Sequence, residues 1–300
     1  MDIAITGSNG LIGSALAASL RADGHRVVPV VRSAGVAGSV RWDPAAGTID
    51  ADGLEGLDAV VHLAGEGIAA GPWTEAQRAR IHDSRSDGTT TLCRALAGLE
   101  RKPAVLVSGS AIGFYGDRGD EVLTEASSSG TDFLAQVCRD WEAPTALATE
   151  AGIRTATIRT GIVLDPKGGA LGKQLLAYKL GLGAKAGRGD QWMSWITLRD
   201  EVRAIRHAID TEAVRGPVNL VSPDPVTNAE FTDAVGRALH RPTFLTLPRA
   251  LRHLPFGIGD LVGSLLFVSD RVAPGVLQAT GYAFEDPQLD AALATLFPRR

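Results

Sequence analysis

The chain opens with Asp2-Ile3-Ala4-Ile5-Thr6-Gly7-Ser8-Asn9-Gly10-Leu11-Ile12-Gly13. Asp2 to Thr6 predicts a buried strand, Gly7 to Gly13 a turn, and Leu11 to Asp23 a helix. Glycines at this spacing each have a physical use. Gly7 permits a tight turn, Gly10 lets the backbone approach a ligand without a Cβ in the way, and Gly13 lets the helix pack closely on the strand. The helix N-terminus then presents free N–H groups and partial positive charge, an environment suited to a dinucleotide pyrophosphate. Three glycines also fit an ordinary strand-to-helix turn. The preceding strand, the Ala/Leu-rich helix and a second strand from Arg26 to Val31 favour the nucleotide site.

That second strand ends in Val30-Val31-Arg32-Ser33. A carboxylate about 20 residues beyond the glycines binds a ribose 2′-hydroxyl, whereas an arginine accommodates a 2′-phosphate. Arg32 therefore points to NADP(H), against the plainer reading of a surface arginine closing a strand.

Size and composition bound the rest. Three hundred residues, 45% hydrophobic and 21% charged, suit one large α/β domain or a nucleotide domain with a smaller companion. The net charge of −4 and the lack of long Lys/Arg runs argue against nucleic acid. No basic and apolar leader precedes the first strand, and the apolar stretch Leu261 to Val268 is too short to span a bilayer, so a cytoplasmic protein without membrane partners is expected. Cys93 and Cys138 fall in expected helices without ligand spacing, and the histidines are scattered, so no metal site is expected. There is no Gly-x-Ser-x-Gly elbow.

Further along, Val40-Arg41-Trp42 and Thr48-Ile49-Asp50 flank a turn and predict a hairpin inserted in the α/β framework, at its periphery. Asp58 to Glu66 is an apolar run ending in Ala64-Gly65, as in a central parallel strand whose carboxyl end lies beside a ligand; Gly65 would permit close approach there. Thr74 to Leu96 reads as a helix, and one of its arginines, Arg85, could reach a phosphate. Ala104 to Ser108 is another buried strand, opening into Gly109-Ser110-Ala111-Ile112-Gly113-Phe114-Tyr115-Gly116. Ser110 there could orient a substrate and Tyr115 exchange a proton, or the loop could simply be stabilised by its own serines. A helix from Asp132 to about Glu150 and a strand from Arg154 to Arg159 follow. The glycine-rich stretch after Asp165 reads as a loop-and-helix cover, and the proline-broken end as a small helical lobe.

Thr6-Gly7-x-x-Gly10-x-x-Gly13, Leu63-Ala64-Gly65-Glu66, Ser84-Arg85, Ser110-Ala111 before Tyr115-Gly116, Arg159 to Leu164, and Gln191 to Ile196 together resemble the short-chain dehydrogenase/reductase superfamily. More narrowly they resemble its extended, atypical branch, the NAD-dependent epimerase/dehydratase-like "epimerase family" with a C-terminal domain of unknown function. The resemblance implies an α/β fold, a Rossmann-type doubly wound parallel sheet with a smaller, mostly helical C-terminal lobe. It implies a nucleotide domain over residues 1–165, with further strands near 192–222, and a substrate-side lobe over 166–300. It also implies NADP(H) held by Thr6, Gly7, Gly10, Leu11, Ile12 and Gly13, by Val31 and Arg32, by Leu63 and Ala64, by Arg85 and near Val163.

One departure bears on chemistry. The superfamily's Tyr-x-x-x-Lys pair is absent: residues four beyond Tyr115, Tyr178 and Tyr282 are Gly119, Leu182 and Asp286. Ser110 matches the family serine, and Tyr115 matches a tyrosine of the neighbouring loop, the remaining candidate proton donor. Two readings stay open. One is an NADP(H)-dependent oxidoreductase or epimerase acting on a small polar molecule such as a nucleotide sugar. The other is a non-catalytic NADP(H)-binding sensor. A homodimer also stays open, since oligomeric state is not readable from the sequence.

Overall fold

A computed structural model describes residues 1–33 and 36–298, so the last two residues of the expected 166–300 lobe lie outside the described residues. Its centre is an eight-stranded sheet. In chain order the first six strands are β1 (Asp2–Thr6), β2 (Arg26–Val31), β3 (Val40–Asp43), β4 (Thr48–Ile49), β5 (Ala59–His62) and β6 (Val105–Ala111), followed by Arg154–Thr160 and Gly216–Leu220. Across the sheet the order runs Gly216–Leu220, Arg154–Thr160, β6, β5, β1, β2, β3, β4. Every pairing is parallel except the β3/β4 hairpin. Strand order reverses between β1 and β5, the crevice where open parallel sheets receive ligands.

Alternation along β1 builds two cores. Ile3 and Ile5 face α1 (Leu11–Ala22) and the helix Leu198–Asp210, packing with Leu16, Leu20 and Ile205. Ala4 faces the other side, where Val28 and Val60 meet Leu92 and Leu96 of α2 (Glu75–Gly98). The adjoining helix α3 (Phe133–Glu142) packs along α2. Covered on both faces, β5 is buried along its whole length, which explains its unbroken apolar run.

A third core joins Leu171, Leu175 and Tyr178 of the helix Gly169–Lys179 to Trp195, Phe231 and Leu293. Its short parallel ladder pairs Ala184–Ala186 with Leu245–Leu247. Among the described residues no helix is long and apolar enough to cross a membrane.

Two local differences have physical causes. The helix expected from Asp132 to Glu150 breaks into α3, a 3₁₀ turn Ala143–Thr145 and a short helix Ala146–Glu150, because Pro144 has no N–H to continue the ladder. The hairpin is the edge of the main sheet and not an insertion, since Val40 pairs with Val30 and Trp42 is buried.

Candidate nucleotide-binding site

The three glycines of the first turn do different jobs. Gly7 has φ +66°, and a Cβ there would lie 2.8 Å from the Leu63 backbone. A Cβ on Gly13 would lie 2.3 Å from the Gly7 carbonyl oxygen. Both glycines are therefore required by the fold itself. Gly10 is extended, exposed and immediately precedes α1 with no side-chain cap; a Cβ there would meet only the Gly7 carbonyl, at 3.3 Å. The N-terminus of α1 is left open beside the β1/β5 crevice.

Neighbouring candidates converge on this opening. Leu11 packs against Gly168 and Gly169, and a Cβ on Gly169 would lie 3.1 Å from the Val163 carbonyl, so Leu11 and Val163 come together although distant in sequence. Ile12 turns into the core. The register Thr6 to Val30 puts Val31, the last residue of β2, and exposed Arg32 just beyond it level with the turn.

Thr6 is an internal brace. Its hydroxyl accepts from the Leu63 and Ala64 N–H groups, at 3.0 and 3.1 Å, and lies 2.7 Å from His62 Nδ1. With both lone pairs engaged, the Thr6 proton goes to Nδ1. His62 Nε2, 3.1 Å from Thr89 Oγ1, then donates to that hydroxyl, which donates to the Arg85 carbonyl at 2.8 Å. The chain of donors works only for neutral His62. Burial, helped by the positive charge of Arg85, lowers the imidazole pKa to about 4.

Arg85 lies beneath the end of β5. Its guanidinium donates to the Glu66 and Ile81 carbonyls and sits 4.8 Å from the Trp141 ring centroid. A Cβ on Gly65 would come within 3.2 Å of it, so the close approach at Gly65 is made by this arginine. Burial pulls the guanidinium below its ordinary range. Arg85 forms no ion pair among the described residues: a half-buried cation held by carbonyls.

Ser110 and Tyr115 part company. Ser110 ends the buried part of β6 and donates to Glu142 Oε1 at 2.6 Å. Arg159 grips that carboxylate with Nε and a terminal nitrogen, both at 2.8 Å, and gives its other terminal nitrogen to the Tyr115 hydroxyl at 3.0 Å. Tyr115 donates in turn to Asn219 Oδ1 at 2.7 Å. The phenol is fully buried among Ile112, Leu123, Val221 and Val272, and burial pushes its pKa up against the pull of Arg159. Its ring is thus a core side chain, and its hydroxyl already has a donor and an acceptor within the protein.

On α3, where the superfamily carries its phenol and ammonium one turn apart, Leu134 lies against Gly113 and Cys138 directs its thiol toward the Ala111 carbonyl. Burial raises that thiol to about 12, so it stays protonated. Sequence reasoning missed His62, Glu142, Arg159 and Asn219. Arg159 gave a signal: an arginine in a central strand requires a carboxylate partner.

Residues 3–220 match the NAD-dependent epimerase/dehydratase family, and residues 247–296 match a domain of unknown function, DUF1731. The chain belongs to the NAD-dependent epimerase/dehydratase family. An epimerase family protein of Mycobacterium tuberculosis is 44% identical over 97% of this chain and 96% of its own. The crystal structure of the human epimerase family protein SDR39U1 with NADPH superimposes with a TM-score of 0.90 at 33% identity, covering 100% of both chains. A nucleoside-diphosphate sugar epimerase of Corynebacterium glutamicum gives 0.82 at 38% identity, covering 100% of this chain and 59% of that one. These family members share the Rossmann-type sheet.

Proposed function

We propose that this chain is an NADP(H)-binding oxidoreductase or epimerase of the cytoplasm, acting on a small polar substrate such as a nucleotide sugar. The observation that carries the reading is the open Gly10 position at the N-terminus of α1, between two glycines whose lack of a side chain the fold itself demands. Such an opening fits a pyrophosphate: the free N–H groups of the first turn would orient it, and Arg32 would meet a 2′-phosphate. The human relative crystallised with NADPH supports the same cofactor. When bound, the nicotinamide supplies hydride exchange.

Ser110, which matches the family serine, is the group to which this reading gives the substrate, although only 5% of it is exposed. Its proton is committed to Glu142, so its remaining lone pairs accept, and it would hold a substrate hydroxyl in preference to a carbonyl. Arg159 holds Glu142 in place with two hydrogen bonds.

A second reading, a non-catalytic NADP(H) sensor, is favoured by one observation: Leu134 and Cys138 offer no acid–base pair near neutral pH. A screen of nucleotide sugars and small hydroxy and carbonyl compounds, following nicotinamide absorbance and product sugars, separates the two. Turnover that falls in Ser110→Ala supports the enzyme. NADPH binding without turnover of any compound supports the sensor.

A further inference from the structure

Two segments of the second lobe break the charge pattern of the molecule. Residues 166–189 and 240–259 contain eight of the chain's 30 Lys and Arg and none of its 34 Asp and Glu. The fold joins them: Ala184–Ala186 pairs with Leu245–Leu247, Gly181 lies against Pro242, and Gly187 lies against Arg249. An acidic protein thus gathers eight cations on two adjoining segments; the carboxylates that border them are Asp190, paired with Arg188, Asp233, which accepts from Thr243, and Asp260, paired with Arg78. Of these cations Arg188 pairs with Asp190 and Lys173 donates to the Ala69 carbonyl, while Lys179, Lys185, Arg241, Arg249 and Arg252 form no ion pair among the described residues.

The same segments expose large apolar side chains. Leu176 on the helix Gly169–Lys179 and Leu180, the residue that caps its C-terminus, are 69% and 65% exposed, and Leu182 beyond them 56%. Phe244, on the strand entry beside them, is 77% exposed. Farther along, Phe256 is 80% exposed. Its backbone is in the left-handed region at φ 61°, where a bulky residue is strained, and the adjoining Gly257 is docked on the Trp73 backbone. The strained turn is therefore anchored on one side while its ring faces solvent. Isolated exposed apolar residues are ordinary; several of them on segments that carry eight cations and no carboxylate of their own are not.

We propose that this lobe docks on the surface of an anionic lipid bilayer. The side chains match that partner in two independent respects. Free cations are drawn to an anionic headgroup layer, and leucine and phenylalanine rise from the same segments to enter the acyl boundary. Exposed leucines argue against a polynucleotide, since aliphatic side chains cannot stack on bases as aromatic rings do. The attachment is peripheral and does not depend on which reaction the Rossmann domain performs.

The test is co-sedimentation of the full chain with vesicles of phosphatidylcholine alone and of phosphatidylcholine mixed with phosphatidylglycerol, at low and high salt. The protein is expected on the mixed vesicles only, with release by salt. Phe244→Asp with Leu180→Asp should weaken that binding by roughly tenfold or more, while the unfolding midpoint and NADPH affinity stay unchanged. A second substitution set, Lys179→Glu with Lys185→Glu, should do the same without touching the apolar residues. Absence from anionic vesicles, or equal binding to both kinds, overturns the proposal. So does a concentration-dependent dimer, seen by sedimentation velocity and lost in Phe244→Asp, in a protein that ignores vesicles; the face would then be a contact between copies.

Discussion

Glu142 accepts the Ser110 hydroxyl at 2.6 Å with the same oxygen that receives Arg159 Nε. The carboxylate thus ties the end of β6 to the neighbouring strand Arg154–Thr160 from the last position of α3. Arg159 is 4% exposed and Glu142 14%, so removing one charge strands the other away from water. Glu142→Gln should cost about 3–5 kcal/mol of stability, whereas Ser110→Ala, which deletes one hydrogen bond to a charged acceptor, should cost about 1.5–3 kcal/mol. Urea unfolding measures both. A Glu142→Gln protein as stable as the wild type would show that the pair has no structural role.

Tyr115→Phe removes a phenol that donates to Asn219 and accepts from Arg159 in a closed cluster. Loss of about 1–3 kcal/mol is expected, with NADPH affinity and any turnover nearly unchanged. Loss of turnover with full stability would place the hydroxyl in the chemistry after all.

Two buried groups give stability opposite pH slopes. His62, lowered from 6.5 to about 4, is protonated first in the unfolded chain, so its contribution falls as pH drops through that window. Glu201 is raised from 4.5 to about 8 by burial, against the single hydrogen bond from Thr160 at 2.8 Å. The unfolded chain loses that proton first, so stability falls as pH rises from about 4.5 to 8. Between 4.5 and 6.5 the slopes of these two groups offset each other, and above 6.5 Glu201 alone of the two contributes a loss. Glu201→Gln should flatten the decline between pH 6.5 and 8, where each unit is worth about 1.4 kcal/mol. Denaturant midpoints over that range read it directly; an unchanged decline in the variant would remove Glu201 as its source.

The parts of the site that were legible are local. Strand, glycine turn and helix lie within some twenty residues, and the roles of Gly7 and Gly13 follow from where a Cβ would go. Arg32 was placed because parallel strands bring the end of β2 beside the turn. The burial of Tyr115 was not legible because it depends on Leu123, Val221 and Val272, which no spacing near residue 115 announces. Thr6 was assigned to the ligand from its place before the glycines, yet its hydroxyl is claimed by residues 56 to 58 positions away. Position in a motif predicts backbone; side-chain partners come from the rest of the chain.

The central claim is that the open glycine turn is an NADP(H) site, and titration of the purified chain with NADPH and NADH, followed by nicotinamide fluorescence, tests it most directly. NADPH should bind at least about tenfold more tightly than NADH, an advantage lost in Arg32→Ala, because a charge-assisted phosphate contact is worth about 1.5–3 kcal/mol. Gly10→Val should abolish binding of both while circular dichroism stays that of the wild type, since a side chain there meets only the Gly7 carbonyl. Equal affinities for the two cofactors, or full binding by a folded Gly10→Val protein, would contradict the account.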